Sequence, residues 1–193
     1  MTPVLNGTAT TALEHEHQSV KAVVQTISII ADDLEQGRRI DSSLLTEVIF
    51  FLRIFDRQCQ TAKEDRLLFP ALEARCMSGP ACPIASLRDD HRKAGSLTLE
   101  LVRAADAFAA GHGSANESLT RTLRELATLY REHIWKEDYI LLPLAEKVLT
   151  PEEQGMLSQD FQRVESRISS DEVAGRIGQK AQRCQCHLGE VFI

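Results

Sequence analysis

The segment "YREHIWKEDYILLPLA", Tyr130 to Ala145, decides the fold. Its His133 and Glu137 are four residues apart, so on a helix turning about 100° per residue they stack one turn above the other. Both fall in the middle of a narrow stripe formed by Leu119, Leu123, Leu126, Tyr130, Leu141, Leu144 and Val148. An apolar stripe of that kind is the face a helix buries, so two polar groups are turned toward a core.

Working outward, turn signals bound this segment and three others. They are "EQGRRID" at 35 to 41, "MSGPACP" at 77 to 83, "GHGSAN" at 111 to 116 and "TPEE" at 150 to 153. Each intervening segment carries apolar residues at three- and four-residue spacing, without sustained alternation, which predicts four helices of about 25 to 35 residues. Short connections make consecutive helices antiparallel neighbours. The predicted fold is therefore all-α, an up-down-up-down four-helix bundle over residues 8–149, followed by a C-terminal helix and Cys-containing tail over 150–193. In that last helix Thr150 caps, Pro151 fits the first position and Glu153 completes a capping box, with an end expected near Ile168.

The other stripes repeat the surprise of the fourth helix. In "LEHEHQSV", His17 lies with Leu13, Val20, Val24 and Ile27, whereas His15 points to the opposite side. Gln60 and Glu64 lie with Leu45, Ile49, Leu52 and Leu67, and His91 lies with Ile84, Leu87 and Val102. An ionised carboxylate in an apolar interior costs several kcal/mol unless it is paired or bound to metal. Lys63 and Lys136 neighbour the two glutamates in sequence, but each projects about 100° away around its helix. A cation supplied from outside is the economical partner.

The depths agree. His17 stands about 22 residues before the first turn and Gln60 and Glu64 about 21 and 25 after it, which at roughly 1.5 Å per residue is one level. Around the turn near residue 112, His91 lies about 21 residues before, and His133 and Glu137 about 21 and 25 after. "H…QxxxE" and "H…HxxxE" thus bring His17, Gln60, Glu64, His91, His133 and Glu137 to one layer, a layout suited to two metal ions bridged by carboxylates with terminal histidines. Tyr130, one turn from His133, is a candidate donor to this layer, with an ordinary core tyrosine the plainer reading. Trp135 and Tyr139 lie off the stripe.

Bulk properties narrow the functions. The 193 residues suit one domain with a substantial core, and the net charge of -6 argues against a nucleic-acid partner. There is no long apolar run and no secretory pattern at "MTPVLNGTAT", so a cytoplasmic protein with no membrane partner is expected. The cysteines number 5, an odd count that speaks for reduced thiols.

With these residues placed, the chain resembles the hemerythrin-like (HHE cation-binding) family. The matching pieces are "LEHEHQSV", "KEDRLLFPALEAR", "CPIASLRDDH" and "YREHIWKEDYILLPLA", with "KED" plus apolar residues plus Pro recurring in both halves. The resemblance implies a non-haem di-iron centre with both glutamates bridging and with His17, Glu64, His91, His133 and Glu137 as ligands. It also implies a small diatomic ligand, oxygen or nitric oxide, bound or sensed. The alternatives are an enzyme acting on peroxide or nitric oxide or repairing iron centres, and a bundle holding a single iron or zinc ion. A protein partner or homo-oligomer is compatible with each.

One position departs from the family pattern. Gln60 stands where a histidine usually precedes the first Glu by four residues, so the metal served by His17 and Gln60 is expected to be weaker or more open. Asp56, Cys59 or a water are candidate substitutes, although Cys59 is turned about 100° from Gln60. "CQCH" in the tail, with Cys184, Cys186 and His187, offers soft ligands that together with Cys76 and Cys82 suit zinc or redox chemistry. Surface thiols are the preferred reading there, because the spacing is not C-x-x-C.

Overall fold

Thr8 opens helix α1 (Ala9–Glu35), its hydroxyl accepting from the Thr11 amide at 3.3 Å. The structure, a computed structural model, describes residues 8–75, 82–112, 114–164 and 175, with side chains for all of these except 55–58. Helix α1 stops at Gly37, whose φ of 66° favours glycine, and the Arg38 amide closes the end by donating to the Asp33 carbonyl at 2.8 Å. Asp41 then caps α2, a continuous helical run over 42–73, by accepting from the Ser43 amide at 2.8 Å. Helix α3 (Ile84–Ala109) ends in the same manner as α1, at Gly111 with φ 75°. Helix α4 runs over 115–148, and α5 (Pro151–Val164) follows at once. The capping box is in place: the Glu153 amide donates to Thr150 Oγ1 at 3.3 Å and the Thr150 amide to Glu153 Oε2 at 2.9 Å. The expected continuation of α5 to Ile168, and Cys76, Cys184, Cys186 and His187, lie outside the described residues.

The architecture is an all-helical bundle, without strands among the described residues. Helix α4 packs along both α1 and α3, α2 packs on α1 and α3, and α5 lies against α1 and α2. No helix among the described residues is long and apolar enough to cross a membrane.

Two helices depart from regular α geometry at matching places. Glu64–Leu68 in α2 and Glu137–Leu141 in α4 are single π turns, in which the Phe69 amide donates to the Glu64 carbonyl and the Leu142 amide to the Glu137 carbonyl. Each precedes a proline, Pro70 or Pro143, which has no amide to donate and crowds the carbonyl four residues before it. A widened turn accommodates that loss. Helix α2 also contains a longer π stretch, Leu52–Gln60, whereas the matching part of α4 is α-helical.

The extra residue in each π turn rotates everything after it, and the buried face moves accordingly. Leu67, expected inside, is half-buried while Leu68 is fully buried. Leu144 and Val148 are likewise half-buried, and Leu142, Ala145 and Leu149 take their places. In α3, Leu101 rather than Val102 holds the centre of the stripe.

The core forms two apolar clusters. One gathers Val20 onward from α1, Leu44 to Cys59 from α2, Ala94 onward from α3 and Leu119 to Ile134 from α4. The other gathers Leu13, Leu68, Leu72, Ile84, Leu87, Leu141 and Ala145, together with Leu157 and Phe161 of α5. The division falls between Leu13 and Val20 on α1, between Cys59 and Leu68 on α2, and between Leu87 and Ala94 on α3. Those intervals contain His17, Gln60 with Glu64, and His91, so a polar layer separates two dry ones.

Candidate metal centre

Glu64, His91, His133 and Glu137 each bring one ligand atom to within 4.8 Å of the others. They come from α2, α3 and α4, and the two glutamates occupy the first positions of the two short π turns. Their environment is nearly dry, with both glutamates 1% exposed. The His91 and His133 side chains, at 8%, mark the edge of the layer nearest solvent. His17, from α1, stands outside this four-residue set and joins it through Glu137, with Nε2 3.1 Å from Glu137 Oε2. His91 Nε2 lies 2.9 Å from Glu64 Oε2, and His133 Nε2 3.4 Å from Glu137 Oε2.

These approaches are close but are not hydrogen bonds. His17 Nε2, His91 Nε2, both oxygens of Glu64 and both oxygens of Glu137 are buried without a hydrogen-bond partner, and so is Gln60 Oε1. Such clustering of unsatisfied donors and acceptors is costly in a folded core. Imidazole nitrogens and carboxylate oxygens converging on one point are the donor set that a first-row divalent cation takes, so the residues fit a bound metal. Gln60 is buried in the same layer, His15 is exposed as its helical face requires, and Cys59 and Tyr130 belong to the neighbouring apolar cluster. Cys82 is half-buried, and the Asp56 side chain lies outside the described ones.

The metal-free electrostatics reflect the crowding. Burial, reinforced by the facing Glu137, pushes the Glu64 carboxyl above its ordinary value. Burial acts on Glu137 in the same sense, but the charges of His133 and His17 outweigh it and hold Glu137 low. Burial alone would lower His17, yet Asp138 and Glu137 reverse this and raise the imidazole to about 10. His91 is raised to about 9 against the same burial effect, by Glu64 and Asp65.

Three carboxylates escaped the sequence reading. Asp138 Oδ1 meets His17 Nδ1 at 2.5 Å, Asp65 Oδ1 meets His91 Nδ1 at 3.2 Å, and Asp90 Oδ2 meets His133 Nδ1 at 3.3 Å. The available signal was adjacency, since "KED" places an Asp after each glutamate and "DDH" places one before His91. Lys63 turns away from Glu64 as expected, and into the core, where its ammonium donates to Glu16 and lies 5.7 Å from the Phe161 ring centroid.

A family model described as the hemerythrin HHE cation binding domain matches residues 8–145. Among curated proteins and among solved structures nothing matches.

Proposed function

Because the chain belongs to the hemerythrin HHE cation-binding family, we propose that it is a non-haem di-iron protein that binds or senses a small diatomic ligand, oxygen or nitric oxide. The observation that carries this reading is the convergence of buried ligand atoms without a hydrogen-bond partner on His17, Gln60, Glu64, His91 and Glu137. In this reading Glu64, His91, His133 and Glu137 hold the tighter metal, and His17 and Gln60 complete a second site that shares the two carboxylates. Iron held there would supply redox chemistry and a site for a diatomic ligand. The protein's own contribution would be to present the imidazoles of His17, His91 and His133 and the carboxylates of Glu64 and Glu137 to the metal and to keep bulk water out with the apolar clusters on either side. We place the helices in up-down-up-down order, with 8–149 as the bundle and 150–193 as an appended helix and tail.

Metal analysis of protein purified without oxygen tests the reading, followed by visible spectra with oxygen, azide and nitric oxide. Two iron equivalents and a ligand-dependent band are expected, with one equivalent easily lost. At most one iron, unchanged on reconstitution, overturns the di-iron centre. It would favour the second reading, a single-ion bundle, for which the compact four-residue set without His17 speaks.

A further inference from the structure

The three site histidines are gripped in one repeated arrangement. His17 and Lys21, one turn apart on α1, hold Asp138 of α4, with Lys21 Nζ 2.7 Å from Asp138 Oδ2. His133 and Lys136 of α4 hold Asp90 of α3, with Lys136 Nζ 2.6 Å from Asp90 Oδ2. His91 and Arg88 of α3 hold Asp65 of α2, more loosely, with Arg88 Nε 3.9 Å from Asp65 Oδ1. In each case an imidazole and a cation three or four residues away on one helix clasp a carboxylate from another. The fourth instance is present in altered form: Gln60 and Lys63 are three apart on α2, and Lys63 donates to Glu16 of α1.

The carboxylates run head to tail around the bundle. Glu16 of α1 is held from α2, Asp65 of α2 from α3, Asp90 of α3 from α4, and Asp138 of α4 from α1. Each links two helices at the level of the polar layer. Because Asp90 and Asp138 face the Nδ1 atoms, the Nε2 atoms of the same rings are left facing the glutamates.

We infer that Asp65, Asp90 and Asp138 are positioning residues of a closed ring of carboxylate clasps, which orients each imidazole with Nδ1–H outward and Nε2 toward the metal. The inference rests on the metal-binding reading above. It assigns Asp138 to the metal served by His17, and Asp65 and Asp90 to the metal served by His91 and His133. Loss of such an outer partner typically weakens metal binding roughly 10- to 100-fold.

Anaerobic cobalt(II) titration of the full metal-free chain, followed by its visible bands, separates the sites. Asp138→Asn is expected to weaken the weaker equivalent by roughly 10- to 100-fold and to leave the tighter one within about threefold. Asp65→Asn and Asp90→Asn are expected to act on the tighter one. Lys21→Met, at the exposed end of the α1 clasp, should follow Asp138→Asn with a smaller loss, which keeps the test available if that variant folds poorly. Nitrogen-15 spectra of zinc-loaded protein add a second readout, since Asp138→Asn should shift the His17 Nδ1–H signal selectively. Wild-type uptake of cobalt with unchanged affinities in all three Asn variants overturns the positioning role alone. Wild-type protein that takes up no cobalt overturns the metal reading and this role with it.

Discussion

At the scale of single residues, Gln60 sets the asymmetry of the centre. Its amide oxygen is a weaker ligand than imidazole, and it occupies the place that His133 fills in the other half. Gln60→His restores an imidazole beside Lys63 and Glu16, the same layout that surrounds His133, and the weaker metal equivalent should then resist chelator about tenfold better or more. Metal analysis after timed dialysis measures this, and unchanged retention would place Gln60 outside the coordination shell. The histidines supply a second prediction. His17 at about 10 and His91 at about 9 hold protons near neutral pH, so metal capture must release them. Cobalt affinity should therefore climb with pH up to about 9 for the equivalent served by His91 and up to about 10 for that served by His17, with proton release visible in a weakly buffered indicator dye. The fold of the metal-free protein responds in the opposite sense. Folded values above the ordinary 6.5 mean that the protonated histidines stabilise it fully below about pH 6.5, and that this is lost as pH rises through 9 and 10.

At the scale of elements, the two π turns decide which side chains are core. Leu142, 1% exposed, follows the α4 turn directly, and Leu144 is only half-buried. Leu142→Ala should cost about 2–5 kcal/mol in urea unfolding of the metal-free protein, and Leu144→Ala less than half as much. Equal costs would mean the helix regains α register there. This also explains what the sequence could reveal. Periodicity at 3.6 residues separates His17 from His15 correctly because α1 is regular, and it places Glu137 correctly because α4 is α-helical up to the start of its π turn, while Gln60 and Glu64 are buried as expected although the Leu52–Gln60 π stretch precedes Glu64. It fails at Leu67, inside the first turn, and at Leu144 and Val148, beyond the second, since no periodicity argument anticipates one added residue; Val102, in the regular α3, is displaced by Leu101 without such a turn. Pro70 and Pro143 were the cue. The Asp partners were illegible for another reason, because Asp65, Asp90 and Asp138 are clasped from other helices and their role exists only once the helices are adjacent.

At the scale of the molecule, α5 belongs to the same core as the helices before it. Phe161 shares a cluster with Leu13, Leu68 and Ile84, and its ring lies near the buried Lys63 ammonium. Lys63→Met removes the cation from Glu16 in a dry environment and should cost about 3–5 kcal/mol in thermal or urea unfolding. Adding Glu16→Gln should recover much of that loss, and failure to recover would show that the pair acts through packing. The circle of clasps has a topological consequence. Each link joins neighbours around the bundle, and the last returns from α4 to α1 across the place where the polypeptide itself has no direct connection. Thr10 of α1 approaches Glu146 of α4 at 3.4 Å on this same seam. The circuit has no first member, so the order in which the helices leave the ribosome is not part of its logic. A circular permutant opened between α2 and α3 would preserve every clasp and assemble the same centre from a rearranged gene.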